Sequence, residues 1–197
     1  MIPTVNVIFA GVGGQGVLTA SEVLGIAAMH AGHEVKKSEV HGMAQRGGSV
    51  ESQVRFGDVV NSPLIPAGCA DFIVAFERLE ALRHAHMLKR GGFVIVNQLD
   101  IPPMDAPEAG PAVYLAGMDE AFGRLEARVV YVPGHALALQ SGDVRSAGSA
   151  LLGVLSGSMP LSAACWDRAF RDVFRPDAPG ANTEAFRLGR SWADAPK

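Results

Sequence analysis

The stretch FAGVGGQGVL, residues 9 to 18, constrains the fold more than any other part of this sequence. An apolar run over residues 5–10 stops at a group of glycines, and apolar residues then recur at helical spacing. This order predicts a strand, a tight turn and a helix, which is how an α/β fold begins. The turn matches the pattern G-x-G-x-x-G and holds one further glycine; these residues are Gly11, Gly13, Gly16 and Gly14.

Strand and helix patterns continue to alternate after this unit. Residues 71–76 and 93–97 have the continuous apolar character of strands that are covered on both faces. A helix is predicted between them, ending at the adjacent glycines Gly91 and Gly92. After a Pro-rich loop, further strands are predicted at 112–117 and 128–133, with a helix over 118–127. Helical patterns dominate from residue 135 onward, near 145–157, 162–174 and 182–192.

One segment breaks the parallel rhythm. Residues 50–56 alternate between apolar and polar, as a half-exposed strand does, and Gly57 and Asp58 suggest a hairpin turn after it. We therefore expect a three-layer, Rossmann-like α/β fold with a mostly parallel sheet, an antiparallel excursion and a helical C-terminal region. Residues 1–197 are expected to form one domain, with its helical part over 135–197. A ligand site should lie at the carboxyl edge of the sheet.

Composition excludes several classes of function. The chain has 197 residues, 48% of them apolar, and a formal charge of −3 with interspersed charges, so neither nucleic acid nor a membrane surface is an expected partner. The amino terminus lacks the basic residues of a signal peptide, and we expect a cytoplasmic protein. Cys69 and Cys165 stand far apart, in no arrangement that would bind an iron–sulfur cluster. No metal site and no catalytic residue is predicted.

The glycine turn leaves two interpretations open. Unpaired N–H groups at the start of a helix favour a phosphate or a carboxylate, whereas the glycines could equally serve only a tight turn and a close helix–strand contact. A standard NAD site also needs an acidic residue at the end of the second strand. Lys36 and Lys37 occupy the middle of that strand, with Glu34 early and Glu39 late, so a standard dinucleotide site is rejected.

Three other polar features lie where a site could form. The loop HGMAQRGGS, residues 41 to 49, combines an imidazole, an amide, a guanidinium and two glycines, a set suited to phosphates or to a partner interface. His41 is interpreted as a hydrogen-bonding loop residue rather than a base. Glu77 and Asn97 each follow a predicted strand, which places them at the carboxyl edge. Glu77 could instead cap its helix, and Asn97 could be a turn residue.

Two long stretches carry a resemblance to a known family. They are AGVGGQGVLTASEVLG and SEVHGMAQRGGSVESQVRFGDVVNSPLIPAGCADFIVAFERLEALR. The chain resembles the beta subunits of indolepyruvate ferredoxin oxidoreductases, which correspond to the gamma domain of 2-oxoacid:ferredoxin oxidoreductases. The match is specific as far as residue 97 and looser beyond it. One departure lies in GDVRSAGSALLGVL, where Arg145 and Ser146 stand at a helix start that commonly carries Asn in the family.

The resemblance implies a division of labour between subunits. Such a complex decarboxylates an aryl 2-oxoacid on thiamine diphosphate with magnesium, passes electrons through [4Fe–4S] clusters to ferredoxin, and uses CoA as co-substrate. This chain lacks the GDG…NN motif and cluster cysteines, so those cofactors are expected on a partner alpha subunit and none on this chain alone. Ligand contacts are expected from Gly11, Gly13, Gly14, Gln15, Gly16, Met43, Gln45, Arg46, Gly47, Gly48 and Ser49. The alternative is a free-standing Rossmann-like module that binds a nucleotide and acts in regulation or as a scaffold.

Overall fold

A computed structural model describes residues 3–41, 48–101, 115–174 and 180–195. Six strands form one sheet in the order β2-β3-β1-β4-β5-β6. The strands are β1 Val5–Val12, β2 Glu34–His41, β3 Ser49–Gly57, β4 Ala70–Ala75, β5 Leu88–Asn97 and β6 Arg128–Val132. Strand β1 pairs in parallel with β4, β4 with β5, and β5 with β6. Strand β3 is antiparallel to both β1 and β2, which confirms the mostly parallel sheet with one antiparallel excursion.

The predicted hairpin turn at Gly57 and Asp58 is wrong. The two antiparallel partners of β3 are β2, which precedes it in the chain, and β1, and the segment after Gly57 forms no strand. Side chains satisfy the backbone of that segment instead: the Val60 N–H donates to the Glu34 carboxylate at 3.0 Å, and the Thr4 hydroxyl donates to the Val59 carbonyl at 3.1 Å. With these groups already paired, the segment needs no ladder.

Helices cover both faces of the sheet, as expected for three layers. They are α1 Val17–His30, α2 Arg78–Arg83, α3 Met118–Arg124, α4 Gly134–Gln140, α5 Ala147–Ser156, α6 Ala163–Val173 and α7 Ala181–Asp194. Helix α1 and the four helices from α4 through α7 pack on one face of the sheet and form one core cluster with it. Helices α2 and α3 form a second cluster with the other face. We call these the α1 face and the α2 face. The helical C-terminal region is confirmed and belongs to the α1 face.

The chain between β4 and β5 differs from its prediction. Helix α2 ends at Arg83, a 3-10 turn follows, and β5 begins at Leu88, so the glycines that were expected to end a helix lie inside a strand. Gly91 has a φ of +71°, and the pairing of β4 with β5 shifts register over the same stretch. The glycines therefore provide an irregularity in β5. Of the predicted strand 112–117, residues 112–114 lie outside the described residues and 115–117 form a turn.

Helices α5 and α7 pack with their backbones in direct contact. A Cβ at Gly153 of α5 would lie 2.1 Å from the Phe186 carbonyl oxygen, and a Cβ at Gly189 of α7 would lie 2.0 Å from the Ala150 carbonyl oxygen. Both distances are below any van der Waals contact, so only glycine fits at either position. This close pair holds the start of α5 and the start of α7 side by side at the carboxyl edge of the sheet.

Candidate functional site

A crevice of about 590 Å³ opens at the carboxyl ends of β1, β4 and β5. It lies where the connections diverge, because β1 leads to α1 on one face whereas β4 leads to α2 on the other. In open α/β sheets, ligands bind at such switch points. Its polar and glycine lining consists of Gly14, Gln15, Gly16, Thr19, Asn97, His135, Asp143, Arg145, Ser146, Gly148, Ser149 and Asn182.

The glycine turn forms one wall of this crevice. Gly14 and Gly16 have φ values of +98° and +85°, a left-handed conformation that favours glycine. The side chain of Gln15 folds back, so that its Oε1 accepts a hydrogen bond from the Val12 N–H at 2.7 Å. A Cβ at Gly11 would lie 2.6 Å from that same oxygen. The glycines therefore do form a tight turn. The same turn also lines the crevice, so the two interpretations do not exclude each other.

Three helices begin at the crevice. Thr19 is in the first turn of α1, Ser149 is in the first turn of α5, and Asn182 is in the first turn of α7. Their N-termini bring backbone N–H groups and the positive ends of three helix dipoles to one cavity, an arrangement suited to an anion. The Ser149 hydroxyl donates to Asn182 Oδ1 at 2.9 Å and links two of these starts.

Arg145 stands at the mouth of the crevice beside its own counter-ion. Its Nη2 lies 2.8 Å from Asp143 Oδ2, and its Nε lies 3.0 Å from both carboxylate oxygens. The hydrogen bonds from Arg145 hold the pKa of the Asp143 carboxyl below its usual range. Solvent reaches 85% of the Arg145 side chain and 25% of the Asp143 side chain, so Arg145 can exchange Asp143 for a ligand oxygen at small cost.

Asn97 and Glu77, both placed at the carboxyl edge from sequence, have different roles. Glu77 caps α2, since its carboxylate accepts from the N–H groups of Leu79 and Glu80, and this confirms its capping interpretation. Asn97 ends β5 with 2% of its surface exposed and lines the crevice. Its Nδ2 lies 3.1 Å from the Phe76 carbonyl oxygen and its Oδ1 lies 3.1 Å from the Gly134 nitrogen.

Some of the predicted ligand-binding residues reach the crevice and others do not. Gly14, Gln15 and Gly16 line the crevice, and Gly11 lies buried behind them. The Gly13 N–H donates to the Gly48 carbonyl at 2.9 Å, so the end of the loop over residues 41–49 adjoins the glycine turn. Ser49 lies on the α2 face, where its hydroxyl donates to Glu80 Oε2 at 2.6 Å. Outside the described residues lie Met43, Gln45, Arg46 and Gly47.

Most of the opposite wall was not predicted from sequence. His135, Ser149 and Asn182 come from α4, α5 and α7, which are far apart in the chain and carry no common motif. A signal existed for His135 alone, because it closely follows the predicted strand 128–133 and so had to lie at the carboxyl edge. Ser149 and Asn182 reach the crevice through helix packing, which no local pattern encodes.

The described ranges offer neither a metal cluster nor a membrane span. Residues 3–41, 48–101, 115–174 and 180–195 contain no group of three or more His, Cys, Asp or Glu side chains arranged to hold a metal ion. Within the same ranges, no helix combines the length and the apolar character that crossing a bilayer would require.

Comparison with known proteins agrees with this architecture. The family model for pyruvate ferredoxin/flavodoxin oxidoreductase matches residues 6–192. Indolepyruvate oxidoreductase subunit IorB of Pyrococcus horikoshii is 40% identical over 190 residues, covering 93% of each chain, and that of Archaeoglobus fulgidus is 41% identical over 193 residues, covering 95% of this chain and 94% of the relative.

Solved structures have the same fold at lower identity. The gamma subunit of a keto/oxoacid ferredoxin oxidoreductase from Geobacter sulfurreducens superposes with a TM-score of 0.73 at 21% identity, covering 98% of this chain and 99% of that one. A 2-oxoglutarate:ferredoxin oxidoreductase from Magnetococcus marinus, solved with 2-oxoglutarate, coenzyme A and succinyl-CoA bound, gives 0.75 at 22% identity and covers 98% of this chain and 32% of that one. The family model over residues 6–192 and the relatives at about 40% identity establish that the chain belongs to the pyruvate ferredoxin/flavodoxin oxidoreductase family.

Proposed function

We propose that this chain is the non-redox subunit of an indolepyruvate or arylpyruvate:ferredoxin oxidoreductase of the cytoplasm. The observation that carries the proposal is the identity of about 40%, over nearly the whole length of both chains, with indolepyruvate oxidoreductase subunits. The partner alpha subunit would carry thiamine diphosphate, magnesium and the [4Fe–4S] clusters, and would pass electrons to ferredoxin. Residues 1–197 would act as one domain in this assembly.

We further propose that the crevice contacts CoA, the acyl acceptor of the reaction. CoA carries several phosphates, and three helix N-termini with the glycine turn offer N–H donors to such groups. The Magnetococcus marinus enzyme was solved with coenzyme A bound, which supports this ligand class. The bond between the Gly13 N–H and the Gly48 carbonyl supports a contribution from the neighbouring Arg46 and Gly47 to the same ligand.

Reconstitution tests the proposed function. The chain purified alone should be colourless and inactive, whereas co-expression with a candidate alpha subunit should give a complex in which sustained reduction of viologen by indolepyruvate requires CoA. An alpha subunit that catalyses the complete CoA-dependent reaction at the same rate without this chain would contradict the proposal. A brown preparation of the isolated chain with a bound cluster would contradict the assignment of the clusters to the partner.

Arg46→Ala tests the contact with CoA in the reconstituted complex. Loss of a charge-assisted hydrogen bond should weaken the apparent affinity for CoA by roughly tenfold to a hundredfold. The first half-reaction, which is the decarboxylation of the 2-oxoacid and does not involve CoA, should change little. Arg124→Ala is the matched control, because the Arg124 side chain lies on α3 of the α2 face and is 76% exposed. If Arg46→Ala instead abolishes co-purification with the alpha subunit, the loop is an interface element and its assignment to CoA is wrong.

A further inference from the structure

The orientation of the Asn97 amide is fixed by two backbone groups. The Phe76 carbonyl oxygen, 3.1 Å away, can only accept a hydrogen bond, so the amide atom beside it is the nitrogen. The Gly134 N–H, also 3.1 Å away, can only donate, so the amide atom beside it is the oxygen. A Cβ at position 134 would lie 2.7 Å from that oxygen, which means that glycine is needed there for Asn97 to occupy this place.

This orientation determines the tautomer of the neighbouring histidine. The Asn97 Nδ2 also lies 3.2 Å from His135 Nδ1. An amide nitrogen has two hydrogens and accepts nothing, and the hydrogen not used by the Phe76 carbonyl is available to the imidazole. His135 Nδ1 must therefore be the acceptor, and the ring hydrogen is on Nε2. Within the part of the chain that the structure describes, His135 Nε2 has no hydrogen-bond partner.

We propose that His135 is a specificity-determining residue of the crevice, which presents a neutral imidazole Nε2–H to a phosphate oxygen of the bound ligand. Asn97 acts as a positioning residue, since its amide contacts the ring and is held by the Phe76 carbonyl and the Gly134 N–H. The inference deepens the proposed CoA contact and rests on it. His135 and Arg145 both line the crevice, but the Arg145 charge is balanced by Asp143, so the imidazole adds a donor without adding net charge.

A spectroscopic test requires neither activity nor ligand. Long-range ¹H–¹⁵N correlation of the full ¹⁵N-labelled chain should find His135 with a hydrogen on Nε2 and none on Nδ1. Asn97→Asp should reverse this tautomer, because a carboxylate accepts a hydrogen bond from Nδ1–H. Gln98→Glu is the matched control: it makes the same amide-to-carboxylate change one residue along, at an exposed position, and should leave the tautomer unchanged. A hydrogen on Nδ1 in the unmodified chain would overturn the inference, whatever becomes of Asn97→Asp.

The ligand contact is tested by two substitutions of His135 in the reconstituted complex. His135→Leu should raise the KM for CoA about tenfold. In His135→Gln, the side-chain amide N–H lies at a similar distance from the backbone as the imidazole Nε2–H, so the KM for CoA should stay within about threefold of that of the unmodified complex. If both variants raise the KM for CoA by the same factor, the ring acts by packing and the inference fails.

The outcomes also separate this inference from the proposed function. If Arg46→Ala weakens CoA and His135→Leu does not, the role of His135 is wrong while the CoA contact of this chain stands. If neither substitution changes the KM for CoA in an active complex, the contact itself is wrong, and the inference that rests on it is overturned as well.

Discussion

Glu77 is a charged residue in the interior, with 1% of its surface exposed. Burial raises the pKa of its carboxyl, although the N–H groups of Leu79 and Glu80 act in the opposite direction by donating to it. These two donors belong to the first turn of α2 and lack partners within the helix. Glu77 therefore takes the place of the usual Ser, Thr, Asp or Asn at a helix start.

Glu77→Ala should lower the free energy of unfolding by about 1–2 kcal/mol, because one buried and one part-buried N–H group lose their acceptor. Urea denaturation followed by circular dichroism measures the change. The control is Glu120→Ala on α3, where the carboxylate is 66% exposed and pairs with Arg124, and the expected change is below about 0.5 kcal/mol. Equal effects of the two substitutions would show that the cap contributes no stability.

His84 of α2 has an oxygen acceptor at each ring nitrogen. Its Nε2 lies 2.9 Å from a Glu51 carboxylate oxygen, and its Nδ1 lies 2.8 Å from the Glu80 carbonyl oxygen. Burial alone would lower the pKa of His84, but the hydrogen bonds that the ring donates to Glu51 and Glu80 outweigh it and raise that pKa. The hydrogen bond from His84 in turn lowers the pKa of Glu51, more than burial of that carboxyl raises it.

Stability should depend on pH through this pair. A raised folded pKa means that the His84 contribution is complete below the unfolded value of about 6.5 and is lost as the pH rises through the folded pKa. The difference in unfolding free energy between the unmodified chain and His84→Gln should thus be largest near pH 6 and shrink toward pH 9. Urea titrations across this range measure it.

A second substitution identifies the partner. Glu51→Gln removes the carboxylate that accepts from His84. In a Glu51→Gln background, the effect of His84→Gln on the unfolding free energy should therefore lose most of its dependence on pH between pH 6 and pH 9. A difference that grows with rising pH would contradict the assigned direction.

At the scale of elements, helices α5 and α7 approach each other most closely at two glycines, Gly153 and Gly189. Helix α5 is buried along its whole length, from Ala147 to Ser156. Its backbone touches that of α7 at Gly153 and Gly189, so neither helix can move away without opening the core of the α1 face. Such close packing makes the spacing of these helices sensitive to a single methyl group.

Gly153→Ala should destabilise the protein by about 1–3 kcal/mol, because the new methyl group meets the Phe186 carbonyl oxygen and forces the helices apart. Gly123→Ala on α3 is the matched control: a Cβ there has nothing within 4 Å, and removing a helix glycine should stabilise by about 0.5–1 kcal/mol. Thermal unfolding of both variants measures whether each substitution raises or lowers the stability. A Gly153→Ala protein as stable as the unmodified chain would show that the two helices are not held at this distance.

At the scale of the whole molecule, the central strand connects both helical layers. Along β1, Val7 and Phe9 belong to the core of the α1 face, whereas Ile8 and Ala10 belong to the core of the α2 face. Strands β4 and β5 alternate in the same way. Since one sheet supplies a wall to each core, loss of either layer exposes the apolar backs of the same strands, and we expect the layers to unfold together.

The two tryptophans make this cooperativity measurable. Trp166 and Trp192 both lie on the α1 face, in α6 and α7, so fluorescence reports that layer, whereas circular dichroism reports every helix. Phe122→Ala, in the core of the α2 face, should cost about 3 kcal/mol and shift both urea midpoints by the same amount. A shift in circular dichroism without a shift in fluorescence would mean two independently unfolding parts, and would contradict the single domain predicted from sequence.

Local pattern was sufficient for the parts of the molecule that local chemistry controls. The glycine turn, the buried strand β4, the second half of β5 over residues 93–97 and the capping role of Glu77 follow from residue type and spacing. The structure after β3 does not, because Gly57–Asp58 has turn chemistry, whereas the backbone of the next residues is hydrogen-bonded to Glu34 and Thr4, which are far away in sequence. The far wall of the crevice is likewise set by the packing of α5 on α7, which depends on contacts between residues far apart in sequence.

Strand β2 lies at the end of the sheet, and the charges that excluded a standard dinucleotide site from sequence have a consequence there. A strand with an unpaired edge can recruit the same strand of a second molecule. Two-fold antiparallel pairing centred on Lys36 or Lys37 would set that lysine opposite its own copy, and like charges directly opposite are destabilising. We therefore expect the charges that make β2 a poor ribose acceptor to oppose this edge-to-edge pairing as well, to the extent that the ion pairs of Lys36 with Glu34 and of Lys37 with Glu22 and Glu39 leave them unbalanced.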